Sequence, residues 1–182
     1  TLDNVVLERT GVAQAKNADQ GRLFMFLTTH GNRDHTLALN MPERFDAALT
    51  PAQLRAALDE AGVRNRLIVI SACFSGGFIP ALATPDTVVI TAARRDCIFF
   101  GCGDTESATY FGRALLVEGL NRDGGLLAAF DYAKRQVARR ETMEGFKPSE
   151  PQLSVGESIL PRLQAWEATL APSPRVPYPF DP

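Results

Sequence analysis

The sequence predicts an α/β protein, a mostly parallel sheet flanked by helices. Short apolar runs recur at Leu23–Leu27, Leu67–Ile70 and Thr87–Thr91, with the length and apolar character of buried strands. Helix-start signals lie between and after them, and strands alternating with helices build parallel sheets. No internal repeat competes with this reading.

In chain order, residues 2–16 are expected to be helical, because Leu2, Val5, Val6, Arg9 and Ala13 trace one face. A polar loop, Asn17 to Gly21, leads into the first strand. After His30 comes a polar turn, Asn32-Arg33-Asp34, and His35 to Asn40 alternates in the manner of a short hairpin strand. Thr50-Pro51-Ala52-Gln53 is a helix start, with a threonine N-cap, proline at the first helical position and glutamine closing a capping box. That helix is expected to reach about Glu60 and to stop at Gly62. The second strand follows, Gly76-Gly77 opens a short helix through Leu82, and the third strand is Thr87–Thr91. Beyond a polar and aromatic loop over 92–104, helical patterns cover about 106–119 and 124–141. Gln152–Val155 suits a fourth strand and Ile159–Leu170 a last helix. These elements are expected to form one domain over 1–171, followed by a proline-rich tail over 172–182. The chain opens at Thr1 rather than methionine, so a start upstream of it is expected.

Composition narrows the function. With 182 residues, 45% hydrophobic and 22% charged, the chain has the make-up of a globular domain with a sizeable core. A net charge of −2 gives no nucleic-acid footprint, and no apolar run is long enough for a membrane span. Lys16, Lys134 and Lys147 are the lysines among 19 basic residues; this arginine bias suggests a GC-rich, bacterial genome. Three cysteines (Cys73, Cys97 and Cys102) make no disulfide framework for a chain of this size, which leans towards reduced thiols and a cytoplasmic setting.

The chemistry lies at the ends of two strands. Thr28-Thr29-His30-Gly31 ends the first and Ser71-Ala72-Cys73-Phe74-Ser75-Gly76-Gly77 ends the second, which puts an imidazole and a thiol at the carboxyl edge of one sheet, where open α/β sheets carry their sites. Cys73 precedes a helix start, where free N–H groups and the helix dipole favour an anion. The Gly31 N–H is free to face a developing oxyanion. His35 is the alternative base, but it begins the hairpin rather than ending the buried strand. Chain order excludes α/β-hydrolases and papain-like peptidases, whose histidine follows the nucleophile; both histidines here precede Cys73. Caspases also place the histidine upstream of the cysteine, at a separation comparable to the 43 residues between His30 and Cys73. No His, Cys and carboxylate cluster has metal-ligand spacing.

Thr29-His30-Gly31, Ser71-Ala72-Cys73-Phe74-Ser75-Gly76, and Thr91-Ala92-Ala93 followed by Thr109-Tyr110-Phe111-Gly112 resemble the legumain-like (asparaginyl endopeptidase) cysteine peptidases of the caspase–haemoglobinase fold. The resemblance covers roughly residues 20–115, and Ser149-Glu150-Pro151-Gln152 is similar to the closing segment of such folds. It implies a cysteine endopeptidase, with a peptide or protein substrate and no cofactor or metal. Cys73 is then the nucleophile, His30 the general acid/base, and the Gly31 and Cys73 N–H groups the oxyanion hole. Hydrolysis of the acyl-enzyme, or its transfer to an amine, completes the reaction. The chain departs from the pattern where asparagine-preferring members carry acidic residues: it has Phe74 after the cysteine, Thr29 before the histidine, and Arg113 at a pocket position. Ser71, Phe74 and Arg113 are the implied substrate-binding residues, with Arg113 favouring an acidic P1 side chain. The family's opening strand and helix find no match before residue 20, so that strand is expected to be absent or replaced by another segment. The competing reading is a catalytically silent caspase-like module that binds partners.

Overall fold

The computed structural model describes residues 4–8, 21–41, 44–99, 109–122 and 125–170. A five-stranded mixed sheet organises the chain. Its strands are β1 (Asn4–Glu8), β2 (Arg22–Thr28), β5 (Asn65–Ser71), β6 (Thr87–Thr91) and β7 (Gln152–Val155), in the spatial order β1-β2-β5-β6-β7. The central β2, β5 and β6 are parallel, while β1 and β7 close the margins antiparallel. A separate two-stranded hairpin, β3 (Leu37–Met41) with β4 (Arg44–Leu49), leaves the end of β2.

Alternation along the strands sends side chains to two faces. Leu23, Met25 and Leu27 of β2, Ile68 and Ile70 of β5 and Val89 of β6 pack with Leu54 and Leu58 of α1 (Pro51–Glu60) and with Phe78 and Leu82, the latter from α2 (Ile79–Leu82). On the opposite face, Val69, Val88 and Ile90 meet three further helical segments. These are α3 (Tyr110–Gly112), running into a π-helical stretch over Arg113–Gly119, then α4 (Gly125–Glu144), and α5 (Ile159–Glu167). Burial of both faces explains why β5 and β6 read as nearly continuous apolar runs. Each such Val, Ile or Phe contributes on the order of 1.5–3 kcal/mol of burial.

Most element expectations agree with this architecture. Thr50 accepts from the Gln53 N–H at 3.1 Å, and the Gln53 side chain accepts from the Thr50 N–H at 2.9 Å. Gly62, at φ +69°, follows the end of α1. One expectation is overturned: residues 4–8 are not helical but form β1, antiparallel to β2 from Asn4↔Thr28 to Glu8↔Phe24. The consecutive Val5 and Val6 are β-branched, and pairing along β2 overrides the weak helical periodicity. This segment takes the sheet position beside β2; the rest of the expected helix lies outside the described residues. β4 was not anticipated, because Arg44–Leu49 carries no apolar run. The helix expected to begin near 106 is described from Tyr110. The tail after 170 and Cys102 lie outside the described residues.

Candidate active site

Parallel pairing of β2 with β5 fixes the site. The register runs from Arg22↔Asn65 to Thr28↔Ser71, so both chains leave the sheet at one level. The next residues stay in contact, since the Thr29 N–H donates to the Ser71 carbonyl at 3.3 Å. Two residues further along each strand extension lie Gly31 and Cys73.

Gly31 sits against the backbone of Cys73. A Cβ added to it would overlap the Cys73 carbonyl oxygen and lie 2.9 Å from the carbonyl carbon and 3.2 Å from the amide nitrogen. Only glycine permits that approach. Gly31 also forms an antiparallel bridge with Leu37. The bonds of that bridge belong to its neighbours: Asn32 N–H to Thr36 O and Ala38 N–H to His30 O, both 2.9 Å. The Gly31 N–H is therefore not one of the bridging donors. Thr29 fastens the same loop through its hydroxyl, which donates to the Ala38 carbonyl at 2.8 Å. His30 is exposed between these anchors.

The Cys73 loop is held from the β6 side. Phe74 adopts φ +56°, a left-handed conformation, and begins a 3-10 turn over Ser75–Phe78 that leads into α2. Its N–H donates to the Cys97 carbonyl at 2.9 Å. The Gly76 N–H donates to the Ala93 carbonyl at 2.9 Å, and Ser75 Oγ accepts from the Ala93 N–H at 3.2 Å. These bonds give the Thr91-Ala92-Ala93 segment its place in the site. Cys73 is half-buried, and its sulfur accepts from the Phe99 N–H at 3.3 Å. The helical segment after Cys73 is only a few residues long and carries little of the macrodipole expected there.

The other candidates are distributed differently. Ser71 is buried, and its hydroxyl is hydrogen-bonded to that of Thr109 at 3.1 Å, beneath the loops. Phe74 is buried beside Cys73, with the Arg33 guanidinium 5.7 Å from its ring centroid. His35, at φ +64°, packs its ring onto the Gly77 backbone, with Nδ1 buried and without a partner. Arg113 lines a cavity of about 410 Å³ between the π-helical stretch and α4, together with Tyr110, Glu118, Arg140 and Glu144. There it pairs with Glu118 at 3.3 Å. The Glu144 carboxyl is held below the usual range by the Tyr110 hydroxyl at 2.6 Å and Arg140 at 2.9 Å. Burial raises the Cys97 thiol above its ordinary value, a push that nearby Arg94 opposes.

Phe99, Cys97 and Arg33 escape a reading of the strand-end motifs. The first two act through main-chain groups, and Arg33 through a tertiary contact. The signal available for Phe99 is an aromatic residue in the loop after β6.

A profile of the peptidase C13 family matches residues 4–162. The chain belongs to the peptidase C13 family, the legumain family of cysteine peptidases. No curated protein gives a sequence match. Among solved structures the chain is similar to caspase-1 from Spodoptera frugiperda, at 18% identity and a TM-score of 0.51, over 74% of this chain. The match spans 59% of the length of that caspase. A likeness at this identity establishes the fold. Among the described residues no helix is long and apolar enough to cross a membrane.

Proposed function

We propose that this C13 member is an endopeptidase in which Cys73 is the nucleophile and His30 the general acid/base. The observation that carries the reading is the contact of Gly31 with the Cys73 backbone, which sets the residue after the histidine against the cysteine. In the reaction, His30 takes the thiol proton and the sulfur attacks the scissile carbonyl carbon. The carbonyl oxygen becomes an oxyanion facing the Gly31 and Cys73 N–H groups. His30 then returns the proton to the departing amine as the C–N bond breaks and a thioester remains. Water, activated by His30, hydrolyses the thioester and restores the thiol; an amine in place of water makes the same step a transpeptidation. The described elements act in this reading as one peptidase domain with a peptide or protein substrate.

Labelling with a thiol-directed peptidyl electrophile tests it. One adduct is expected on the intact protein, at Cys73 rather than at Cys97, whose thiol burial disfavours as an anion. Cys73→Ala abolishes the adduct, and His30→Ala slows labelling about 10²–10⁴-fold. No adduct on the folded wild type at any concentration leaves a partner-binding module as the function.

A further inference from the structure

Alternate residues of the loop after His30 press on the nucleophile loop. Gly31 meets Cys73, Arg33 lies over Phe74, and His35 packs on Gly77. The loop is closed on itself by Asn32 and Thr36, which bond through their backbones at 2.9 Å and their side chains at 3.0 Å. Arg33 is thereby held from both sides above the residue that follows Cys73.

Arg33 is exposed and has no carboxylate partner among the described residues. Three loop carboxylates are engaged elsewhere. Asp34 accepts from the Thr36 N–H at 3.1 Å and the Thr36 hydroxyl at 2.8 Å. Asp96 and Glu150 both bind Arg94, at 2.6 and 2.8 Å. A guanidinium within about 6 Å of an aromatic face is attracted to it, and the planar N–H fork at its edge can bind a carboxylate through two parallel bonds. Phe74 is one 3.8 Å Cα step from Cys73. A substrate residue within roughly three positions of the scissile bond, at about 3.3 Å each, reaches this edge.

We propose that Arg33 is a specificity-determining residue that binds a carboxylate side chain of the substrate near the scissile bond, making acidic peptides the preferred class. This rests on Cys73 being the nucleophile. It gives to Arg33 the role that sequence reasoning gave to Arg113, which is paired with Glu118 in the α4 cavity.

The test uses the full chain and a peptide set in which one position at a time carries Asp, its neutral isostere Asn, or Lys. At one position, kcat/KM for Asp should exceed that for Asn by about tenfold or more, because a hydrogen-bonded charge pair exceeds a neutral one by that order. The ratio should shrink as salt is added. Arg33→Gln should bring it within about twofold of unity, and Arg33→Glu should turn the preference towards Lys. Arg139→Gln, an equal loss of charge on α4, should leave the ratio intact. Equal cleavage of Asp and Asn peptides at every position, or a preference that survives Arg33→Gln, overturns the assignment of Arg33 alone. A folded wild type that cleaves no peptide and takes no electrophile at Cys73 overturns the peptidase reading, and this inference with it.

Discussion

The two ends of β5 differ in how completely their polar groups are used. At the amino end, Asn65 and Arg66 are each only 6% exposed. The Arg66 guanidinium donates to Val63 O at 2.6 Å, Leu58 O at 2.7 Å and Asp59 at 2.9 Å, while Asn65 donates to Gly21 O and accepts from Arg162. At the carboxyl end, Cys73 is half-buried, the Gly31 N–H stands outside its own bridge, and Arg33 has no carboxylate partner among the described residues. One strand thus starts in a closely hydrogen-bonded polar lock and ends beside donors without such partners among the described residues. A buried charge must be satisfied to persist, whereas a binding edge works only if it is not.

The contrast predicts that substitutions at the carboxyl end cost activity and those at the amino end cost stability. The largest effect is expected from Gly31→Ala, whose methyl group would collide with the Cys73 carbonyl and force the loops apart. Labelling of Cys73 and peptide cleavage should fall about 100-fold or more while circular dichroism keeps the native spectrum. Near-wild-type labelling would remove the reason for glycine at this position.

Next comes Arg66→Ala, which strands two buried carbonyls and removes a partner of Asp59. Urea unfolding should show a loss of about 2–4 kcal/mol. The fraction that remains folded, counted by active-site titration, should keep its kcat. A drop in kcat per folded molecule would mean that the two ends are not separable.

The smallest effect belongs to Asp59→Asn. Hydrogen bonds from Arg55 and Arg66 lower the Asp59 pKa in the folded protein. Its contribution is therefore present above the ordinary carboxylate range and is lost as the pH falls through the lowered folded value. Melting temperatures of variant and wild type should differ at pH 7 and converge once the pH falls below the lowered folded value. A difference that stays constant with pH would show that the Asp59 charge has no part in it.

Much of this was legible in the sequence because the signals were local. A capping box or an uninterrupted apolar run reports its own segment, so α1 and β6 are legible almost to the residue and the apolar centre of β5 is legible without its polar ends. The order of His30 and Cys73 was legible too, because parallel neighbours are entered from the same end. β1 was misread because its strand form comes from β2, not from Asn4–Glu8 alone. Arg33 over Phe74 and His35 on Gly77 join residues about forty apart in the chain, and no spacing rule reports such contacts. The pairing of Arg113 with Glu118 within the same helical segment is likewise a contact that no motif reports.

The pairing of β2 with β5 has a kinetic side. Parallel strands cannot meet through a tight turn, so the hairpin and α1 must form or be spanned before Thr28 finds Ser71. Closing so long a loop costs entropy that only later contacts offset. Until it happens, Gly31 and the thiol of Cys73 belong to separate stretches of chain, and a nascent or half-unfolded molecule has no such juxtaposition to offer.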